Sequence, residues 1–226
     1  MTDKKNILII GASSEIAQAI ITNLKESGTY NIITTSRKGD GNFALDLNSD
    51  SSIAGFKKDI ASTPLAWVFY SAGFIESSES SESFDGDYGL QSKKINFESA
   101  RELLQTLIPQ IETDGGIVCL SSTAGIWGNP NFPIYSTWKG ALNIYLQSLS
   151  KKLRESGRYV FSICPGPTNT SMRQSLAGDA EKHQKPEVIA SHITQIISNP
   201  DMYIESPILV IRENTLYKLD QTVVPL

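Results

Sequence analysis

Short, unbroken apolar runs alternate along this chain with longer stretches whose apolar residues recur every three or four positions. Ile7 to Ile10 is the first run, too continuous for a half-exposed strand and suited to one buried on both faces. A glycine-containing turn follows, then a helical pattern to about Ser27, with Gly28 placed as a helix C-cap. Asn31–Ser36, Trp67–Ser71, Gly116–Ser121, Val160–Cys164 and Ile208–Ile211 read as further buried strands. Helices are predicted at about Asp87–Glu112, Pro133–Ser156 and Pro186–Ser198. This alternation predicts right-handed βαβ crossovers and therefore an α/β fold, a doubly wound parallel sheet with helices on both faces. Residues 1–226 form one domain without a linker or repeat. The run Glu76 to Ser83, alternating Ser and Glu, reads as a solvated loop.

Composition narrows the function classes. A formal net charge of −4 offers no basic field for nucleic acid or an anionic membrane surface, so any anionic cofactor must be held by local devices. Cys119 and Cys164 each lie in an apolar run and read as buried thiols of a reducing compartment. His183 and His192 both lie in a polar C-terminal region, and no Cys/His cluster can supply three ligands, so no metal site is expected. The N-terminus lacks a signal-peptide apolar core, and no run reaches membrane-spanning length. A cytoplasmic protein acting on a small molecule is the expectation.

Two segments carry chemistry. Strand Ile7–Ile10 runs into Gly11-Ala12-Ser13-Ser14-Glu15-Ile16-Ala17 and a helix opens at once. A dinucleotide pyrophosphate needs a tight turn, close backbone approach and the positive end of a helix dipole. Gly11 supplies the turn and the amides of Ser13, Ser14, Glu15 and Ile16 the donors. Ala17 still permits close packing, and the Glu15 carboxylate is expected to point to solvent. At the end of the second strand an acid would bind a ribose 2′-hydroxyl, whereas an Arg would take a 2′-phosphate. Ser36-Arg37-Lys38 stands there and no acid, so NADP(H) is favoured over NAD(H).

The second segment is Tyr135-Ser136-Thr137-Trp138-Lys139. Tyr135 and Lys139 share one helix face, with Cβ atoms about 5–6 Å apart. A phenol of pKa about 10 is a poor base at neutral pH, but a neighbouring ammonium favours its phenolate. Ser122, thirteen residues before Tyr135, ends a buried strand, where its hydroxyl can meet a developing oxyanion. Trp127 and Phe132, between Ser122 and Tyr135, are candidates for an apolar pocket, as is Phe74, while Trp138 reads as core. Ser171 to Lys185, polar and containing Gly178, reads as a substrate lid over 171–185.

Together these residues resemble the short-chain dehydrogenase/reductase family, in its compact single-domain branch. The resemblance implies a Rossmann-type fold and a nicotinamide-dependent oxidoreductase acting on a carbonyl or alcohol. Asn96, Ser122, Tyr135 and Lys139 match the family's catalytic positions, with Lys139 also reaching the nicotinamide ribose and Asn96 holding a water. Asp46, in Leu45-Asp46-Leu47, matches the acid at the adenine ring. Ser71-Ala72-Gly73 matches the end of the family's Asn-Asn-Ala-Gly motif, with Tyr70 and Ser71 in place of the two Asn. Pro165-Gly166-Pro167-Thr168-Asn169-Thr170 matches the segment that holds the nicotinamide carboxamide. A homodimer or homotetramer is the implied assembly, although Val223-Val224-Pro225-Leu226 lacks the family's glycine-rich close. Only nine positions separate Arg37 from Asp46, so one crossover helix of the family is missing. Two rivals share the nucleotide-binding start: a non-catalytic sensor of NADP redox state, and a methyltransferase, which would need neither Tyr135 nor Lys139.

Overall fold

The computed structural model describes residues 4–76 and 83–219; most of the Ser/Glu run and the C-terminal residues 220–226 lie outside the described residues. The chain runs β1 (Lys5–Ile10), α1 (Glu15–Ser27), β2 (Tyr30–Ser36), β3 (Phe43–Ala44), α2 (Asp50–Asp59), β4 (Leu65–Tyr70) and α3 (Asp87–Lys93). It continues through a π-helical turn (Lys94–Glu98), α4 (Ser99–Leu107), β5 (Ile111–Leu120), α5 (Ala124–Trp127), α6 (Pro133–Arg154) and β6 (Tyr159–Pro165). Last come α7 (Ser171–Ala177), α8 (Pro186–Ser198), β7 (Ile208–Arg212) and β8 (Thr215–Lys218).

The strands form one sheet in the order β3-β2-β1-β4-β5-β6-β7-β8, parallel throughout except for the β7–β8 pair. The continuous run Ile7–Ile10 follows from this burial: successive side chains point to opposite faces, and both faces are covered. Ile7 and Ile9 join Ile20 and Leu24 of α1 and Ile189 and Ile193 of α8. Leu8 and Ile10 join Ile53 of α2, Leu103 of α4 and Leu142 and Leu146 of α6. Each such aliphatic side chain contributes about 1.5–3 kcal/mol by leaving water. The chain reverses direction across the sheet between β1 and β4, which makes the C-terminal ends of these strands the natural place for a ligand.

Several boundaries differ from expectation. The helix predicted over Asp87–Glu112 is broken by the π turn and closes in a single 3-10 turn, Ile108–Gln110, around Pro109. Proline disfavours helix in the residue before it and lacks the N–H to continue one. Ile111 and Glu112 therefore already belong to β5, which begins before Gly116. Helix α2 lacks a counterpart in the sequence reading, although Ser49 caps it by accepting a bond from Ser52 N and Ile53 and Phe56 lie at helical spacing. No helix separates β2 from β3, as the short Arg37-to-Asp46 interval implied.

Helices α5 and α6 pack so closely that a Cβ built on Gly125 would lie 2.6 Å from the backbone carbon of Lys139 and 2.8 Å from Gly140 N. Both atoms are backbone and cannot rotate away. Gly125→Ala is expected to overpack this contact and lower Tm by about 3–8 °C. Thermal unfolding followed by circular dichroism checks this; a Tm within a degree of wild type contradicts the contact.

Candidate active site

The nucleotide turn begins at Gly11, whose φ of +80° lies in the left-handed region that favours glycine. A Cβ there would also meet Ala72 N at 2.9 Å, so the turn after β1 and the segment after β4 lie against each other. Ser14 caps α1: its hydroxyl accepts from Ala17 N at 3.1 Å and exchanges a 2.6 Å hydrogen bond with the Ser71 hydroxyl. Ser71 thus links the end of β4 to the turn after β1. The first-turn N–H groups of α1 have no helical acceptors and suit an anion. The Gly11 turn with these N–H groups suits a pyrophosphate.

Glu15 is exposed, as expected, and its carboxylate also turns to α7, accepting from Ser171 N at 2.6 Å. Burial opposes its ionisation, but hydrogen bonds from the backbone and side chain of Ser171 outweigh that and hold the carboxyl below its ordinary range. Asp46 is engaged locally, with Oδ1 accepting from Asn48 N at 3.0 Å, and Leu47 O accepts from the Ser99 hydroxyl at 2.9 Å. Arg37 is exposed beyond Ser36, the buried last residue of β2. Asp40 is the residue the sequence reading missed: its carboxylate accepts from the Ser36 hydroxyl, so an acid does stand at the end of the second strand. It reaches there through a turn, four positions on, where adjacency in sequence gives no sign of it.

Asn96 is fully buried in the π turn. Its Oδ1 accepts from Phe74 N at 3.1 Å, and its Nδ2 donates to Phe74 O at 2.7 Å and to the Ser92 hydroxyl at 3.1 Å. The Tyr70 hydroxyl donates to Ile95 O at 2.7 Å, fixing the same turn from β4. Gly73 sits between two site residues: a Cβ on it would lie 3.5 Å from Lys139 Nζ and 3.6 Å from Asn96 Oδ1.

Helix α6 brings Lys139 Nζ to 5.7 Å from the centre of the Tyr135 ring. Lys139 is 2% exposed and donates to Leu120 O at 3.0 Å. Burial lowers its pKa from 10.5 to about 8, so the charged form is held against desolvation. The neighbouring thiols are pushed the other way by burial, Cys119 to about 12 and Cys164 to about 11, so both are protonated at neutral pH. Ser122 follows β5, its hydroxyl accepting from Ala124 N at 3.1 Å. Thr168 Oγ1 donates to Gly166 O, and Thr170 caps α7 by accepting from Arg173 N at 3.2 Å.

Ser122 and Tyr135 share the wall of a cavity of about 250 Å³ with Ile16, Pro165, Gly166, Thr168 and Thr170. Trp127, Phe132, Met172 and Leu176 give it an apolar side. Phe74 is not among these lining residues and pairs with Tyr88 at 5.5 Å between ring centres. Trp138 faces away, stacked on Phe97. Among the described residues no cluster of His, Cys, Asp or Glu could hold a metal ion.

The sequence profile of the short chain dehydrogenases matches residues 5–181. The chain belongs to this family. Short-chain dehydrogenases are oxidoreductases acting on CH–OH and C=O groups with a nicotinamide dinucleotide. An uncharacterized oxidoreductase of Staphylococcus epidermidis is 25% identical over 212 residues, covering 87% of this chain and 92% of that protein. YbbO, an uncharacterized oxidoreductase of Escherichia coli, is 27% identical over 198 residues, covering 76% and 69%. A short chain dehydrogenase family protein of Francisella tularensis shares the fold with a TM-score of 0.78 at 20% identity, covering 92% of this chain and 97% of that one. A 3-ketoacyl-(acyl-carrier-protein) reductase of Brucella melitensis, solved with NADH, gives 0.75 at 16% identity, covering 87% and 91%. BdcA, solved with NADPH, gives 0.72 at 18% identity, covering 85% and 86%. No helix of the described residues is long and apolar enough to cross a membrane.

In this short-chain dehydrogenase the buried ammonium of Lys139 costs stability. Its folded-state pKa lies below the unfolded value, so the penalty stands in full at pH 7 and fades as pH rises from about 8 to 10.5. Lys139→Met removes that penalty and forfeits one hydrogen bond, and is expected to raise the Tm of the cofactor-free protein at pH 7 by about 2–6 °C. Differential scanning calorimetry at pH 7 and pH 10 reads the effect, with the gain smaller at the higher pH. An equal or lower Tm at pH 7 counts against it.

Proposed function

We propose that this chain is an NADP(H)-dependent carbonyl reductase or alcohol dehydrogenase in which Tyr135 is the general acid and base. The observation that carries this reading is Lys139 Nζ poised 5.7 Å from the Tyr135 ring, while Tyr135 and Ser122 share one cavity wall. The bound dinucleotide supplies or takes up the hydride. In reduction, the Ser122 hydroxyl donates a hydrogen bond to the substrate carbonyl oxygen, and the Tyr135 hydroxyl transfers its proton to that oxygen. The carbonyl becomes an alcohol and Tyr135 is left as phenolate, which the nearby ammonium favours. Lys139 would also bind the ribose hydroxyls of the nicotinamide half. Asn96, whose side chain is bonded to Phe74 and Ser92, would hold the water that returns a proton.

Gly11, Ser13, Ser14, Glu15 and Ile16 form the pyrophosphate turn, and Ser71, Ala72 and Gly73 form its floor. Asp46 and Leu47 border the adenine, and Pro165, Gly166, Thr168 and Thr170 the nicotinamide. Arg37, beside Ser36, supports NADP(H) through its planar, bidentate guanidinium. Residues 171–185 serve as the substrate lid, tethered to the nucleotide turn through Glu15.

Tyr135→Phe is expected to lower kcat for carbonyl reduction about 10²- to 10⁴-fold while dinucleotide binding stays within about twofold. Steady-state kinetics on a diketone and quinone panel with NADPH, paired with a binding titration, test it. Near wild-type kcat in the variant defeats the assignment. Dinucleotide binding without turnover by the wild-type chain on any panel member favours the sensor reading instead. Glu15→Ala is expected to loosen the lid and raise KM for the carbonyl about three- to tenfold with kcat little changed. An unaltered KM denies the tether a role in substrate binding.

A further inference from the structure

Gly166 lines the cavity that Ser122 and Tyr135 share, and the Arg212 side chain lies against it. A Cβ built on Gly166 would stand 3.4 Å from Arg212 Cγ and 3.7 Å from Gln184 Nε2. The buried Gln184 ties this region together. Its Nε2 donates to Ile211 O at 3.0 Å and to Gly166 O at 3.4 Å, and its Oε1 accepts from Asn214 N at 3.4 Å. Its backbone O accepts from Asn169 N at 2.8 Å. The segment from Lys182 to Lys185 is thereby fixed to the ends of β6 and β7.

Gly166 and Pro167 also line a second cavity, of about 590 Å³, together with Lys182, Lys185, Arg212 and Glu213. A third, of about 390 Å³, shares Trp127 with the first and Arg212 with the second. The three cavities thus adjoin, and their character changes from one to the next. Around Tyr135 the wall is apolar, and Arg173, which lines it, is taken up by Asp179 through bonds of 2.8 and 2.9 Å. In the second cavity three cations meet one acid. Lys182 and Lys185 are exposed and make no ion pair among the described residues. Glu213 approaches only Arg212 Nε, at 3.5 Å, and both side chains are largely exposed, so the pairing is weak and leaves the other guanidinium N–H groups to a ligand. His183 faces Asp179, with Nε2 3.3 Å from Oδ2, and Lys218 of the third cavity is spent on Met202 O and the Tyr203 ring. On a chain of net charge −4, such a local excess of cations beside an apolar cavity is a recognition feature and not a background.

We propose that the substrate is an amphipathic carbonyl compound ending in an oxyanion: its carbonyl meets Ser122 and Tyr135, its apolar middle runs along Trp127, and its anionic end is held by Arg212 with Lys182 and Lys185. The inference rests on the carbonyl-reductase reading above and gives that site a substrate class.

The test is steady-state reduction, with NADPH, of a series of methyl-ketone carboxylates of increasing chain length, each beside its own methyl ester. The wild-type chain is expected to favour acid over ester by about tenfold or more in kcat/KM, chiefly through KM, once the acid is long enough to reach Arg212. Arg212→Gln should cut that preference about fivefold or more, Arg212→Lys should keep more of it, and added salt should erode it. Melting curves verify that the variants fold. Acid and ester used alike at every chain length, or a preference that survives Arg212→Gln, overturns this inference alone. A wild-type chain that reduces neither these ketones nor the diketone and quinone panel overturns the carbonyl-reductase reading as well.

Discussion

An ammonium withdrawn from water must be held by the structure around it, and the site of this enzyme is arranged about one such group. Lys139 is buried on a helix whose other inward residues, Leu142 and Leu146, are core. The desolvation that depresses its pKa is opposed by one carbonyl bond, to Leu120, and by a shape that keeps other atoms clear. Gly73 leaves room in front of the ammonium, and Gly125 lets α5 press against the backbone that carries it. One turn on along the same face, Asn143 donates to Gly125 O and accepts from the Ser162 hydroxyl, so the α5–α6 contact is fixed from β6 as well. A flexible surface lysine would need none of this.

The same logic explains how the chain tolerates departures from its family's pattern. Tyr70 and Ser71 stand where the resemblance places two Asn, and each makes a bond of its own. Ser71 reaches the cap of α1 through a hydroxyl pair, a short bond made possible because Gly11 lets the two segments touch. Tyr70 reaches farther, across to the π turn, and its hydroxyl is fully buried with Ile95 O as acceptor. A π turn leaves backbone groups out of the regular helical ladder. Tyr70 satisfies one of them, and Asn96 uses the altered direction of its own side chain to grip Phe74 on both backbone groups. The substitutions are thus compensated in pairs, with a longer side chain matched to a distorted helix.

Much of this was legible in the sequence because it depends on local rules. Continuous apolar runs implied buried parallel strands, Gly28 marked a helix end, and the Ser122, Tyr135 and Lys139 spacing named residues that the fold brings close together. What escaped was set by tertiary geometry. The π turn has no sequence signature distinct from a helix, so Asp87 to Glu112 read as one element. Helix α2 was masked by its polar residues, despite its Ser49 cap. Asp40 could not be assigned to the end of β2 from its position, since only the turn at Gly39 brings it back. The bond from Ser171 to Glu15 escaped too, because nothing in the sequence places the two within reach; they are 156 positions apart.

Glu15 shows how an anionic protein can still receive an anionic cofactor. A carboxylate in the first turn of α1 gains from the helix dipole, which is the same field a pyrophosphate would use. Left free, it would compete with the ligand and add repulsion. Its bond to Ser171 N directs the charge toward the opening of α7, where a second set of helical N–H groups begins. The carboxyl is held ionised by that contact rather than by any partner in the cofactor cleft. The departure from glycine at this position therefore costs the turn some freedom but gives it a neighbour: the nucleotide turn and the start of the lid share one carboxylate. The start of α7 and the first turn of α1 are thus joined by one hydrogen bond across 156 positions of sequence.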